Sequence, residues 1–489
     1  MKGIKIYGLM LLAVFLGSQA HAFLLPKEQI ETYLFRFELE GAKKLSLQLT
    51  NEGHKQFYVA HSQMYKYFAT QDPKLANEIR KNWNTYTAAV SKLPDSEKDI
   101  YLSELHGKRA IMEFLERKYV TASRFGRNSF NLVNSYKKKY PNSAESLKMQ
   151  GLFNVVLGNV PRRYQWIANL LGFKGDLKKG LRQLENAGKY SKILRHEAQL
   201  ILCTIEKSML DRPQEAIVRL EKARAKYGKN ILLDYLYASG LLRLKKNEEA
   251  LVVLNRSQLY DFNKVQFIPF WDFLHGKACY YKNDLSGAQK HLALFVRGYK
   301  GKLMRTDAYF RLGMALTLKK RYDLGKPFFE LIAKEEHGGF DEDEYAQYMA
   351  KKFSEKEPDA ITLSLFQARN YFDGGYYSKS SAILRQLKIF LPKDSKHRTE
   401  LNYRFARIYH SLGKLDQAST YYNASIEANG ADKDVYLKAY ASYFLGEIAR
   451  EKGERQTAKS KYEKALTYEN YFYQSGLENR CKAALTNLK

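Results

Sequence analysis

With 489 residues, 45% of them hydrophobic and 14% aromatic, the chain is too long for one growing core and too apolar to be disordered. Only 10 Pro and 30 Gly argue against a many-turned β architecture and for long helices. The 81 Lys and Arg against 52 Asp and Glu leave +29, or +27 without Lys2 and Lys5, a charge that attracts anionic neighbours. The basic residues interleave with acidic ones and form no polybasic tail, so nucleic acid is an unlikely partner.

Residues 1–22 read as a signal peptide. Lys2 and Lys5 give the positive start, Ile6 to Leu16 the apolar stretch, and Ala20-His21-Ala22 a cleavage site that would leave Phe23 first. The apolar run is too short to span a bilayer, and no later segment of the mature chain approaches such a length. No cysteine lies near the cut, so a lipoprotein is not expected. The expected location is the periplasm or the outside of the cell.

Residues 23–190 read as a divergent helical repeat region. Lys27 to Leu93 has helical periodicity without a fixed register, and Leu102 to Phe114 pairs with Tyr119 to Tyr136, closed by Pro141. His54 and His61 could share a helix face, but no further ligands join them, so packed or surface histidines are expected and no metal or other cofactor. Next come Gly151-Leu-Phe-Asn154, Val160-Pro161, Trp166 to Leu171, Gly172-Phe173-Lys174-Gly175-Asp176 and Gly180-Leu181. Gly172 and Gly175 fit a helix end and tight turn, with Asp176 capping the next helix. Over residues 151–185 this stretch resembles the eukaryotic tetratricopeptide-39 family associated with inclusion-body clearance, and exported TPR proteins of Bacteroidetes. The resemblance implies a non-enzymatic function and one continuous superhelix.

Residues 191–489 read as a repeat array. Ala198 to Met209 pairs with Pro213 to Lys226, where Pro213 suits a first turn and Gly228 an end. Leu232 to Leu244 pairs with Glu248 to Leu259, with Gly240 and Ala250 ten apart. From about 265 to 470 a stricter rule holds: a small residue, another twelve later, and a large apolar residue four beyond that. The pairs are Gly276 and Ala288, Gly313 and Gly325, Ala368 and Ser380, Ala406 and Ala418, and Gly446 and Ala458. Leu292, Phe329, Leu384, Tyr422 and Tyr462 follow at the four-residue offset. This spacing resembles the tetratricopeptide repeat (TPR), two antiparallel helices in about 34 residues. It implies an all-α superhelix, an α-solenoid. The 55-residue interval from Gly313 to Ala368, against 37, 38 and 40 elsewhere, marks an extra helix near Tyr345 to Lys356. Its start is expected to be capped by the acidic run Asp341 to Glu344, which lacks the spacing of a calcium loop.

In a TPR array the first helices line the concave face. The positions flanking the small residues are then Phe273, Phe310 and Tyr403, with Tyr443; Lys277, Arg369 and Arg407; and Tyr280, Phe372, His410 and Arg450. This predicts an aromatic and basic groove for an extended peptide, acidic or ending in a carboxylate, which arginine can grip with paired hydrogen bonds. The tyrosines and phenylalanines could equally pack between repeats. Peptide-carboxylate clamps of the family place Asn just after the register position; this chain has none there. No Gly-x-Ser-x-Gly, His-Glu-x-x-His, phosphate-binding or dinucleotide pattern occurs, and no lysozyme-like domain fits beside the helix pairs, so no enzyme is expected. The expected function is an exported scaffold or adaptor in the cell envelope. Attachment of the basic surface to anionic lipid or glycan, and a non-catalytic partner or remnant of a cell-wall enzyme, stand as alternatives. Cys203, Cys279 and Cys481 are far apart in apolar helical settings and are expected as buried free thiols.

Overall fold

The computed structural model describes residues 26–158, 175–210, 212–334, 341–428 and 435–488. Ala20, Ala22 and Phe23 of the expected cleavage site, and residues 160–174 of the glycine motif, lie outside the described residues. The described residues form α-helices and contain no strand. The first are α1 (Pro26–Arg36), α2 (Leu39–Leu47), α3 (Glu52–Thr70), α4 (Pro73–Lys81), α5 (Trp83–Val90), α6 (Asp95–Leu115), α7 (Tyr119–Lys139) and α8 (Leu147–Gly158). The middle holds α9 (Leu177–Tyr190), α10 (Arg195–Ser208), α11 (Pro213–Tyr227), α12 (Ile231–Arg243), α13 (Asn247–Leu254), α14 (Pro269–Tyr281), α15 (Leu285–Gly298), α16 (Arg305–Leu318) and α17 (Tyr322–Lys334). The last are α18 (Asp341–Glu355), α19 (Ala360–Asp373), α20 (Tyr377–Phe390), α21 (Arg398–Ser411), α22 (Leu415–Glu427), α23 (Val435–Glu451), α24 (Arg455–Leu466) and α25 (Gln474–Asn487).

Local chemistry sets several of these boundaries. Asp176 caps α9 by accepting from the Lys179 N–H at 2.9 Å, and Asn230, Asp284 and Asp359 cap α12, α15 and α19 in the same way. Pro213 opens α11 at its first turn, and Gly228 follows its end with φ +65°, a conformation that costs a residue without Cβ little.

Pairs of helices then meet where the small residues predict. A Cβ on Gly313 would lie 2.6 Å from the Phe329 ring and 3.1 Å from the Gly325 carbonyl oxygen. One on Gly276 would meet Leu292, and one on Gly446 the Tyr462 ring, each at 2.6 Å. Ala368, Ala406, Ala418 and Ala458 are fully buried at the corresponding points. The same contact exists in the glycine motif, where Gly151 and Gly180 let α8 and α9 approach.

Two expectations are corrected. In the α12–α13 pair the register residue is Ala238, not Gly240: Ala238 and Ala250 are twelve apart and fully buried, with Leu254 filling the gap. The space beside Gly240 faces Ile217 of α11. The extra helix exists as α18, but Asp343 does not cap it. Asp343 is buried and accepts from the N–H groups of Met304 (3.1 Å) and Asp307 (3.0 Å), capping α16 instead.

The superhelix is wound tightly enough for its turns to touch across the axis. The Phe35 and Phe37 carbonyls accept from Asn230 Nδ2 (3.0 Å) and the Gln266 N–H (2.8 Å), so the end of α1 packs inside the middle repeats. The Lys300 N–H donates to the Thr70 carbonyl at 3.3 Å. Further along, Asn370 Nδ2 donates to Asn283 Oδ1 at 2.9 Å, and Asn247 Nδ2 to the Tyr376 hydroxyl at 2.9 Å.

Candidate binding surface on the inner face

Packing within and between neighbouring repeats decides the fate of most of the groove residues. Phe273, Tyr280, Phe310, Phe372 and Tyr403 are buried, and are therefore core rather than open groove. Most of these rings are covered within and between neighbouring repeats: Phe273 packs on Phe295 of its own pair, Phe310 on Phe353 and Phe366 of the helices that follow, and Tyr403 on Tyr422, while Lys245, far along the chain, sits 3.7 Å from the centre of the Phe372 ring. Tyr443 is half-buried against Phe444 and Tyr462. Lys277 lies across the rings of Phe273 and Tyr281. Arg450 is exposed and pairs with Glu447 at 2.9 Å on its own helix. His410 Nδ1 lies 3.1 Å from the Tyr422 hydroxyl, and burial, helped by Arg407, pushes its pKa down to about 4, so it is neutral at pH 7.

Arg369 and Arg407 do come together on the inner face of α19 and α21. They are joined by residues that the spacing argument missed: Lys245, Arg311 and Arg404. Arg311 and Arg404 each stand two before a register residue, a signal that the sequence contained. The carboxylates nearby are Asp307, Asp373 and Glu400. Arg311 Nε donates to Asp307 at 2.7 Å, and Arg404 Nη2 to Glu400 at 2.6 Å. Asp373 lies 3.6 Å from both Lys245 and Arg369. Burial pulls the Lys245 ammonium down to about 8, against the pull of Asp373. Arg369 Nη1 also donates to the Tyr345 hydroxyl at 3.0 Å, and the Tyr345 ring packs near Tyr436 of α23 and Phe472 and Tyr473 of the turn before α25.

Arg407 differs from its neighbours. Its Nη1 donates to the Tyr403 hydroxyl at 3.3 Å, and its guanidinium lies over the rings of Phe444 (4.1 Å) and Phe372 (5.3 Å). Among the described residues no carboxylate lies within ion-pair distance of it, although Asp373 attracts it from farther away. Five cations therefore share three carboxylates here, and the surplus is concentrated on a half-buried arginine whose planar fork suits a carboxylate.

A second charged cluster lies deeper, in the N-terminal half. Lys108 reaches Glu104 (3.1 Å) and Glu197 (2.9 Å), while Lys148 reaches Glu104 (2.8 Å) and Glu197. Beside it is an apolar cavity of about 550 Å³, bounded by Leu34, Phe35, Ile201 and Leu236 among others, with Glu31 at its edge. Burial pushes the Glu31 carboxyl up to about 7, although it accepts from the Tyr58 hydroxyl (2.9 Å) and the Leu194 N–H (3.0 Å).

Among the described residues no group of His, Cys, Asp and Glu is placed to hold a metal. His54 is bound to Glu97 at 2.6 Å, and His61 is fully buried against the Phe57 carbonyl. The three cysteines are buried and free, and burial pushes each thiol up to about 12, which disfavours the thiolate. No helix among the described residues is long and apolar enough to cross a membrane.

Comparison with known proteins gives the same architecture. A family model described as Iml2/Tetratricopeptide repeat protein 39 matches residues 74–337, more than half of the chain. A Tetratricopeptide repeat model matches residues 399–432, which contain α21 and α22. No curated protein matches the chain. Among solved structures, the crystal structure of the APC/C hetero-tetramer Cut9-Hcn1 is similar at 10% identity and a TM-score of 0.30, over 93% of this chain and 88% of that one.

Proposed function

We propose that this chain, which belongs to the Iml2/Tetratricopeptide repeat protein 39 family, is an exported scaffold that holds an acidic protein segment against the inner face of its C-terminal array. The repeats make it a protein-interaction scaffold of TPR type, and such families are generally non-catalytic. The finer reading rests on one observation: Arg407 is half-buried, lies over aromatic rings, and lacks the carboxylate in direct contact that each neighbouring cation has, with Asp373 acting on it only from farther away. Holding a guanidinium in this setting unpaired costs free energy, and a carboxylate brought by a partner recovers it. The buried phenylalanines and tyrosines then act as the rigid floor beneath that contact rather than as the contact itself. Export is supported by the Lys2 to Ala22 pattern.

A fluorescent polyglutamate peptide measured by anisotropy tests the contact. Arg407→Glu should weaken binding by about tenfold or more. Lys222→Glu, the same charge change on the exposed face of α11, should alter it by no more than about twofold. Equal losses in the two variants would reduce the contact to general attraction by a basic protein. Removal of residues 2–22 should leave the protein in the cytoplasm by fractionation, and continued export would overturn that part.

A further inference from the structure

Ile389 and Phe390 are the two most exposed large apolar side chains among the described residues, at 78% and 83%. They are consecutive and stand at the C-terminal end of α20. The turn after them is fixed in place. Leu391 is buried, Arg398 Nε donates to the Pro392 carbonyl at 2.9 Å, and its guanidinium also donates to the Leu391 carbonyl. The Ser395 N–H donates to the same Pro392 carbonyl at 3.2 Å. The apolar pair is thus held out into solvent by a rigid turn, where burying it against its own repeat would have been favourable.

The charge around the pair is one-sided. Arg385, Lys388, Lys393 and Lys396 are exposed, against the carboxylates of Asp394 and, facing Lys396 and His397, Asp359. Lys388 is folded back to the Tyr421 hydroxyl at 2.9 Å, while Arg385, Lys393 and Lys396 make no ion pair among the described residues. Two side chains are too small for a stable protein interface, which needs about 800 Å² from each partner. A bilayer asks for less: a short apolar tip that enters the acyl boundary, and cations that meet the phosphates above it.

We propose that this turn is an insertion point for an anionic bilayer, with Ile389 and Phe390 entering the membrane and Arg385, Lys393 and Lys396 meeting lipid phosphates. It goes beyond the peptide reading and needs neither that reading nor export. Each apolar side chain should strengthen binding about tenfold, and each cation about fivefold.

Co-sedimentation of the full chain with vesicles tests it, using phosphatidylcholine alone and phosphatidylcholine mixed with phosphatidylglycerol. The wild type should sediment with the mixed vesicles and not with phosphatidylcholine alone. Ile389→Ser with Phe390→Ser should weaken binding about a hundredfold, and Lys393→Glu with Lys396→Glu about 25-fold or more. The serine variant should keep its helical circular dichroism and its affinity for polyglutamate, which separates membrane loss from misfolding and from the inner-face contact. Wild-type sedimentation by the serine variant would overturn the proposal, as would a wild type that ignores acidic vesicles. So would light scattering that shows a dimer dissolved by the serine variant, because the tip would then join two copies.

Discussion

The N-terminal and C-terminal halves both place charge on the inside of the superhelix, and they balance it differently. In the N-terminal half Lys108 and Lys148 face Glu104 and Glu197, two of each sign, all linked. In the C-terminal half Lys245, Arg311, Arg369, Arg404 and Arg407 share Asp307, Asp373 and Glu400. A closed set of charges has nothing left to offer a ligand and serves to fix which helices meet. An open set keeps one donor in reserve. The family match at residues 74–337 contains the whole closed set and also Lys245, Asp307 and Arg311 of the open one, whereas Glu400, Arg404 and Arg407 fall within the repeat match at 399–432.

The largest effect that separates the halves should come from Lys148→Met. It leaves Glu104 and Glu197 to share one buried ammonium, and should cost about 3–5 kcal/mol in urea unfolding. Next is Glu31, whose carboxyl is pushed up to about 7 from 4.5 by burial. The folded chain holds this proton between those values, so the stability it contributes is complete below about pH 4.5 and is lost as the pH rises to about 7. Glu31→Gln should remove that dependence, and the thermal midpoint of the wild type should fall relative to the variant across this window by the equivalent of about 2 kcal/mol. Arg407→Met should then cost under about 1 kcal/mol, because no carboxylate is stranded when it leaves. If Arg407→Met proved as damaging as Lys148→Met, the distinction between closed and open sets would fail. Smallest of all, Arg450→Ala removes an exposed pair and should stay within about 0.5 kcal/mol.

Much of the fold was legible because close helix approach forces a local choice. Gly313 and Gly325 must be small where their backbones meet, and a spacing of twelve exposes that requirement to a reader of the sequence. The same reading slipped at Gly240, a conspicuous glycine whose space faces Ile217, while the quieter Ala238 held the register. Asp343 was assigned to its own helix because capping is read along the chain, whereas its acceptors serve Met304 and Asp307, nearly forty residues earlier. The site was less legible for one reason. Whether Tyr280 or Phe372 is open or covered depends on contacts between distant helices, such as Asn283 with Asn370, 87 residues apart, and Lys245 over the Phe372 ring. No periodicity records such a distance. Arg369 and Arg407 keep partial exposure, as the cost of burying an unpaired charge favours, whereas aromatic rings carry no such restriction.

The links across the axis also change what kind of object this array is. A plain repeat stack behaves as a one-dimensional chain, each unit answering only to its neighbours, and it can stretch or fray from an end. Here the Lys300 N–H is tied to Thr70, and Asn247 to Tyr376, so successive coils are fastened to one another like a spring whose loops have been soldered. Such a spring resists extension, and pulling it open requires several fastenings to yield together. Under load or heat it should open in a few large steps rather than repeat by repeat.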